Sequence, residues 1–224
     1  MNYVVATIKR WHIEKFAEVK NSYPGNWFLI TQKDALTYDW LDAIKPRYVF
    51  LPHWSWLIKS EIFEKFECVV FHSGYLPNDR GGSIFQYKIM SGETHLQMNA
   101  IKVNKGIDTG DVYMKRDLCL NGSVEEVYLR TADIIFDDMI PYIIENEPTP
   151  VPQTDKGTIF RRRNPDQSEI KVENLKDLHN FIRALDADTY PSAFIQSGKL
   201  KFEFTRSSLR TGYIEANVKI KEEL

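Results

Sequence analysis

The chain has 224 residues, a length that corresponds to one domain, or one domain with a small appendage, at roughly 100–200 residues per domain. Hydrophobic residues make up 43% and charged residues 27% of it, a globular balance that excludes a disordered protein, a fibrous repeat and a disulfide scaffold. The 29 basic residues nearly balance the 31 acidic ones, which leaves a net charge of −2. The overall charge therefore gives no indication of a nucleic-acid or membrane-surface partner.

The two cysteines, Cys68 and Cys119, are too few for a disulfide framework or a metal cluster. Cys68 lies in an apolar run, which predicts a buried, reduced thiol. No segment approaches the roughly 18–20 apolar residues that span a bilayer, and the first residues lack the pattern of a cleaved leader. We therefore expect a soluble, cytoplasmic protein with no membrane association.

Apolar runs and helical patterns alternate up to residue 71. The apolar runs at 3–8, 27–30, 48–51 and 67–71 predict strands. The segments at 9–20, 39–44 and 63–66 predict the helices between them. Each strand is a nearly continuous apolar run, as expected when helices cover both faces of a parallel sheet. The pattern predicts a three-layer α/β fold.

After residue 71 the chain changes character, beginning with a polar loop at 72–82. The elements predicted beyond it are a helix at 83–90, strands at 95–103 and 111–118, a long helix at 123–147, an extended connector at 150–166, a helix at 171–185 and a β-hairpin within 190–218. We expect a core domain over 1–168 and a small C-terminal extension of helix and hairpin over 169–224.

Two predicted loops carry side chains suited to acid–base chemistry. His72 follows the fourth predicted strand, and Asp108 lies between two later strands. Open α/β sheets bind ligands outside the carboxyl ends of their strands, and a carboxylate can hold an imidazole for proton transfer. The alternative is a purely structural histidine. The sequence has no phosphate-loop motif, no residue spacing typical of a metal site and no nucleophile-elbow motif.

The segment around His72 resembles a family motif. It is His72-Ser73-Gly74-Tyr75-Leu76-Pro77-Asn78-Asp79-Arg80-Gly81, similar to the His-x-Ser-x-Leu-Pro-x-x-Arg-Gly motif of the folate-dependent formyltransferases. The segment Gly106-Ile107-Asp108-Thr109-Gly110 resembles the second motif of that family. Segments 181–185 and 190–194 resemble the start of the C-terminal region in its transfer-RNA and sugar branches. The resemblance implies a Rossmann-like core with a mainly parallel sheet.

The resemblance also implies a reaction in which an amine attacks the formyl carbon of N10-formyltetrahydrofolate, the co-substrate. A tetrahedral oxyanion forms and collapses, releasing tetrahydrofolate, and no metal is expected. His72 donates a hydrogen bond to the oxyanion, a contribution of about 10²–10³ in rate, and Asp108 holds His72 and helps to move the proton. The family usually has an asparagine two residues before the histidine, where this chain has Val70. We hypothesise that Asn99 supplies the missing amide. The alternative is an ordinary strand asparagine.

The same resemblance implies two sets of binding residues. The residues expected to line the pterin pocket follow the third strand or lie in the loop of Asp108: Trp54, Trp56, Leu57, Ile58, Val103, Gly106, Ile107 and Asp108. Either tryptophan could instead pack in the core. The residues expected to contact the acceptor, with Arg80 on a phosphate, are Ser73, Tyr75, Arg80, Gly81, Gly82 and Gln86. For Arg80, a structural salt bridge is the alternative.

Three branches of the family compete for the acceptor. Lys9-Arg10-Trp11-His12 follows the first strand, rather than the Gly- and Ser-rich phosphate loop of the glycinamide ribonucleotide branch. Only 56 residues follow Ser168 and the chain is slightly acidic, which disfavours the transfer-RNA branch with its longer basic C-terminal domain. We therefore predict a sugar N-formyltransferase that acts on a UDP- or dTDP-linked dideoxy amino sugar in bacterial surface-sugar synthesis, with the pseudaminic-acid pathway as the narrower resemblance, and no nucleic-acid partner.

Two other interpretations stay open at this point. One is an enzyme like methionyl-tRNA formyltransferase. The other is a non-catalytic module that binds folate or a sugar nucleotide, which Val70 favours and the retained His72 and Asp108 disfavour. In the C-terminal extension, an exposed strand edge rich in aromatic residues predicts a homodimer. The same aromatic residues could instead form a small core of the extension.

Overall fold

The structure is a computed structural model that describes residues 1–188 and 190–222. The chain forms two compact units, each built from three segments. The first unit contains Met1–Arg80, Gln97–Leu118 and Leu129–Thr158. The second contains Gly81–Leu96, Cys119–Tyr128 and the described residues from Ile159 onward. Both units are discontinuous in the chain, and the continuous boundary expected at residue 168 stays a prediction.

The helices and strands follow the predicted order closely. The strands are β1 (Asn2–Ala6), β2 (Asn26–Ile30), β3 (Tyr48–Pro52), β4 (Cys68–Ser73), β5 (Arg80–Gly81), β6 (His95–Lys102), β7 (Val112–Cys119), β8 (Ile159–Phe160), β9 (Ala193–Ser197), β10 (Leu200–Arg210) and β11 (Tyr213–Glu222). The helices are α1 (Arg10–Val19), α2 (Tyr38–Ile44), α3 (Ser60–Phe63), α4 (Ile84–Met90), α5 (Val124–Asp133), α6 (Ile140–Asn146) and α7 (Leu175–Leu185).

The main sheet has the strand order β2-β1-β3-β4-β6-β7. β1 pairs with β2 and β3 in parallel, and β3 pairs with β4 in parallel. β6 is antiparallel to β4. The predicted α/β, Rossmann-like fold with a mainly parallel sheet is therefore confirmed.

Aliphatic side chains from the central strands and the helices form the core of the first unit. Val4, Val49, Leu51, Leu41 and Ile62 are buried in one cluster. Each such side chain contributes about 1.5–3 kcal/mol by leaving water. This is the reason that the apolar runs become central strands, and it makes the sheet a rigid base for the loops at its ends.

The long helix predicted at 123–147 is interrupted. It starts with a capping box in which Ser123 and Glu126 exchange hydrogen bonds, at 2.7 Å and 3.3 Å. Between α5 and α6, Ile134–Met139 has π-helical bonding. Pro141 stands at the start of α6, and because proline has no N–H to donate, the regular ladder cannot run through it.

The second unit contains a three-stranded antiparallel sheet in the order β11-β10-β9, so the predicted terminal hairpin has a third strand. Asn174 caps the start of α7, since its side chain accepts a hydrogen bond from the Asp177 N–H at 2.9 Å. Tyr190 and Phe204 pack against the cluster of this unit, in keeping with a small core of its own. The homodimer stays a prediction. Across the described chain, every helix is too short or too polar to cross a bilayer.

Candidate active site

His72 lies near the end of β4, opposite Asn99 on β6. Because side chains alternate along a strand, Val70 and His72 point to the same face. Val70 is partly buried and packs against the core cluster of the first unit. His72 is 8% exposed. The imidazole is thus held at the sheet rather than on a mobile loop.

Both ring nitrogens of His72 face hydrogen-bond acceptors. Nδ1 lies 3.3 Å from Oδ2 of Asp108, and Nε2 lies 2.6 Å from the backbone oxygen of Asp79. A carbonyl oxygen only accepts, so the Nε2–H donates to Asp79, and a doubly protonated ring has a second N–H for Asp108. The structure brings the predicted pair together, and it adds an acceptor, Asp79, that occupies the N–H expected to serve an oxyanion.

Local contacts explain how the loop of Asp108 reaches His72. Oδ1 of Asn104 accepts the Gly106 N–H at 2.9 Å, which folds the loop on itself. A Cβ on Gly110 would lie 1.6 Å from the backbone oxygen of Lys102, so only glycine fits there. Asp108 has φ of 52°, a left-handed conformation that aspartate adopts more readily than most residues.

The loop that carries Asp79 is fixed by its backbone. A Cβ on Gly74 would lie 2.6 Å from Cβ of Asp79 and 2.7 Å from its backbone oxygen. The Tyr75 N–H donates to Oδ2 of Asp79 at 2.9 Å, and the Leu76–Pro77 bond is cis. The carbonyl that faces Nε2 of His72 is therefore held by close packing, which the motif alone does not reveal.

Asn99 does not supply the missing oxyanion donor. Its side chain is 0% exposed, and its Nδ2 donates to the backbone oxygens of His72 at 3.0 Å and Gly74 at 2.7 Å. With both N–H groups used within the chain, the hypothesis that this amide replaces the family asparagine at Val70 is inconsistent with the structure. Asn99 instead ties down the carbonyls at the end of β4.

Three of the residues predicted for the pterin pocket pack against one core cluster of the first unit. Trp54, Ile58 and Val103 are partly buried and pack against the same core cluster as Val70. The alternative that a tryptophan packs in the core therefore holds in part for Trp54. These side chains leave part of their apolar area uncovered on the unit that carries His72.

Other predicted pocket residues contact Trp54 or are exposed. The rings of Trp54 and Trp56 meet edge to face at 5.0 Å. Leu57 is 86% exposed and Ile107 is 49% exposed. The N–H of Gly106 is used by Asn104 within the loop, as described above. An aromatic and aliphatic wall of this kind suits a flat heterocycle.

Arg80 is 5% exposed. Its Nε and Nη2 donate to Oε1 of Gln153 at 3.2 Å and 2.7 Å, and further bonds go to the backbone oxygens of Asp155 and Lys156. These contacts favour a structural role, although the partners are an amide and carbonyls rather than the carboxylate of a salt bridge. The acceptor contacts of Ser73 and Tyr75 stay predictions.

The remaining acceptor candidates belong to the second unit. A Cβ on Gly81 would lie 2.2 Å from the backbone oxygen of Phe160, so this glycine is required by the chain's own packing. Gln86 is buried, and its Nε2 donates to the hydroxyl of Tyr128 at 2.9 Å. The predicted acceptor contact of Gln86 is therefore inconsistent with the structure, and that of Gly82 stays a prediction.

The connector, residues 150–166, forms hydrogen bonds with β7 and with both motif segments, which its composition does not predict. Val151 and Val112 exchange two backbone hydrogen bonds of 2.8 Å, and the Thr158 hydroxyl donates to the backbone oxygen of Asn78. Between these points, Nε2 of Gln153 donates to the backbone of the second motif. A polar linker carries no local pattern that predicts such contacts.

In the part of the chain that the structure describes, the other reactive groups do not form a second centre. Among the described residues, no group of three histidine, cysteine or acidic side chains is suited to a metal ion. Burial raises the pKa of the Cys68 thiol to about 12, so little thiolate forms near neutral pH. Burial, with smaller contributions from His53 and Lys9, lowers the pKa of His12 well below its usual value.

Comparison with known proteins adds a family relationship. Residues 165–221 match a family model described as the C-terminal domain of methionyl-tRNA formyltransferase. A solved structure, methionyl-tRNA formyltransferase from Clostridium thermocellum, is 46% identical, with 99% of each chain covered and a TM-score of 0.96. A methionyl-tRNA formyltransferase from a Nitratiruptor species is 23% identical over 87% of this chain, which spans 64% of that relative's length. A sugar N-formyltransferase from a Shewanella species is 14% identical, with coverage of 100% and 98% and a TM-score of 0.67.

These relationships overturn the predicted sugar-nucleotide acceptor, its pseudaminic-acid pathway and the predicted lack of a nucleic-acid partner. The prediction from length was wrong because residues 169–221 of the short segment after Ser168 lie within the matched C-terminal domain. The prediction from net charge was wrong because the average over a chain hides how its charges are distributed. Residues 199–222, which include the last two strands, contain six lysines and arginines and three glutamates.

Proposed function

The chain belongs to the folate-dependent formyltransferase family, and from this relationship we propose that it transfers a formyl group from N10-formyltetrahydrofolate to the amino group of methionyl-tRNA. The observation that carries the proposal is the contact of 3.3 Å between His72 and Asp108 on the unit that also presents the apolar wall of Trp54, Ile58 and Val103. A carboxylate–imidazole pair can manage the proton that an attacking amine must lose.

Each part of the site has a task in this reaction. N10-formyltetrahydrofolate supplies an activated formyl group. The apolar wall orients its flat ring system and excludes water. Asp108 holds the ring of His72 at Nδ1 and accepts a proton from it or through water. Val70 has no hydrogen-bond donor, and the Nε2–H of His72 already serves the Asp79 carbonyl. We therefore assign the His72–Asp108 pair to proton transfer rather than to the oxyanion.

The choice of methionyl-tRNA rests on the relatives and on local charge. The solved relative with that name is 46% identical over 99% of both chains. The terminal strands β10 and β11 lie in residues 199–222, which contain six lysines and arginines and three glutamates. Lysine and arginine are the residues that contact nucleic-acid phosphates. The predicted cytoplasmic location belongs to the same proposal.

The test is transfer of a labelled formyl group. The protein is incubated with N10-[¹⁴C]formyltetrahydrofolate and methionyl-tRNA, and label on the tRNA and released tetrahydrofolate are measured together. We expect equal amounts of both, falling by about 10²–10⁴ in His72→Asn because the imidazole that manages the proton is removed. Release of tetrahydrofolate with another amine, but without labelled tRNA, contradicts the proposal.

A further inference from the structure

We propose that Gln153, on the connector between α6 and β8, is a positioning residue that fixes the two acceptors on either side of the His72 ring. This inference rests on the proposed formyl transfer. Gln153 touches neither His72 nor the carboxylate of Asp108 through its own described hydrogen bonds. It acts on the backbone segments that carry the acceptors.

The amide of Gln153 uses its full hydrogen-bonding capacity. Nε2 donates to the backbone oxygens of Asp108 at 2.9 Å and Gly110 at 2.8 Å. Oε1 accepts from Nε of Arg80 at 3.2 Å and from Nη2 at 2.7 Å. A primary amide has two N–H donors and two lone pairs, so all four are engaged within the first unit.

These contacts close a ring of interactions around the imidazole. Arg80 directly follows Asp79, whose carbonyl faces Nε2 of His72 at 2.6 Å. Asp108 faces Nδ1 at 3.3 Å. Gln153 therefore links the backbone next to one acceptor with the backbone of the other, and it sets the gap that the ring occupies.

The conformation of Asp108 makes this link important. Its φ of 52° lies in a sparsely populated region, and such residues keep their geometry only when their surroundings hold them. Gln153 is itself anchored, because Val151 pairs with Val112 through two backbone bonds of 2.8 Å. Loss of the amide should therefore release the loop of Asp108 while the connector stays in place.

Two variants separate the contacts of Gln153, and a third serves as the control. Gln153→Met keeps the size and removes all four hydrogen bonds. Gln153→Glu keeps an acceptor for Arg80 but sets a carboxylate oxygen against the two carbonyls. Gln196→Glu is the matched control, because that amide is partly exposed on β9 and donates only to Gly198 in the described bonds, at 3.0 Å. We expect kcat to fall roughly ten- to a hundredfold in both Gln153 variants, with KM nearly unchanged, and no change in the control.

The position of His72 can also be followed by NMR, a measurement that requires no methionyl-tRNA. In protein with ¹³C-labelled histidine, the ring signal of His72 is identified by its loss in His72→Asn. We expect this signal to shift in both Gln153 variants and not in Gln196→Glu. If wild-type protein fails to formylate methionyl-tRNA, the proposed function fails, but this signal still decides the positioning role.

Three results overturn the positioning role. The first is an unshifted His72 signal in both Gln153 variants. The second is a raised KM with an unchanged kcat. The third is wild-type kcat in Gln153→Glu, since Arg80 would then be the only important partner. If one variant does not fold, as judged by circular dichroism, the other gives the answer, and unfolding of both also counts against a role confined to positioning.

Discussion

Two loops each give His72 one acceptor, and they hold it in different ways. The first loop, residues 74–80, offers a backbone carbonyl, that of the buried Asp79. The second loop, residues 103–110, offers the carboxylate of Asp108 from a largely exposed segment. Close backbone packing at Gly74 fixes the first loop. The second loop is closely packed only at its end, at Gly110, and side-chain hydrogen bonds from Asn104 and Gln153 hold the rest of it.

Because of this difference, we expect changes in the first loop to affect stability and changes in the second loop to affect turnover. A carbonyl placed by buried backbone cannot move without loss of packing, so changes around the first loop should lower the free energy of unfolding. A carboxylate placed by a few side chains can move while the sheet stays intact. Changes in the second loop should therefore lower turnover more than stability.

The largest expected effect is that of Asp108→Asn. Asparagine also tolerates the left-handed conformation, but it removes the charge and one acceptor oxygen facing Nδ1 of His72. We expect kcat for formyl transfer to fall by about 10²–10⁴, with the urea midpoint unchanged. Asp42→Asn, at an exposed position on α2, is the control and should match wild type. A free energy of unfolding lowered by more than about 1 kcal/mol in Asp108→Asn would erase the contrast between the loops.

Asn99→Ala should come next, through stability. It leaves the buried carbonyls of His72 and Gly74 without the donor that now serves them. Urea denaturation should show a loss of about 1–3 kcal/mol. Asn146→Ala removes a similar bond to the Tyr142 carbonyl at an exposed helix end and should cost less than about 0.5 kcal/mol.

Asn99→Ala also tests the hypothesis that the Asn99 amide donates to the oxyanion. Because both N–H groups of Asn99 serve the backbone, turnover per folded molecule of Asn99→Ala should stay within about tenfold of wild type, below the 10²–10³ typical of a lost oxyanion donor. A hundredfold loss without any change in stability would restore Asn99 as a donor.

The smallest expected effect is that of Asn104→Ala. Its Oδ1 accepts the Gly106 N–H at 2.9 Å and the Thr109 hydroxyl at 2.8 Å in an exposed loop. Loss of about 1 kcal/mol of loop order should lower kcat about fivefold without shifting the urea midpoint. Asn104→Asp keeps the accepting oxygen and should behave like wild type. Equal losses in both variants would show that the side-chain oxygen does not hold the loop.

Much of the fold could be predicted because the parallel strands are continuous apolar runs. β1, β3 and β4 lie within a residue or two of the expected ranges, since burial on both faces leaves a clear pattern. The break before α6 was missed because a single proline, Pro141, also occurs in regular helix starts. β9 was missed because only its pairing with β10 defines it as a third strand.

The site residues that stand in a recognisable motif could be predicted. The contributions that arise only from the folded arrangement could not. His72 and Asp108 stand in recognisable segments, and the structure places them 3.3 Å apart. The contributions of Asp79 and Gln153 come from a backbone carbonyl and from an amide in a linker. Neither has a local pattern, because any residue has a carbonyl and many linkers contain glutamine.

The second unit has a consequence for anyone who wishes to exchange parts between relatives. Its helix α7 and the residues after it hold partners from far earlier in the chain: Nη1 of Arg183 donates to the Leu120 carbonyl at 2.6 Å, and the Tyr190 hydroxyl lies 3.5 Å from that of Ser83. A cut at residue 165, where the matched C-terminal domain begins, would divide this unit instead of releasing it. A functional chimera must therefore transplant residues 81–96 and 119–128 together with the tail.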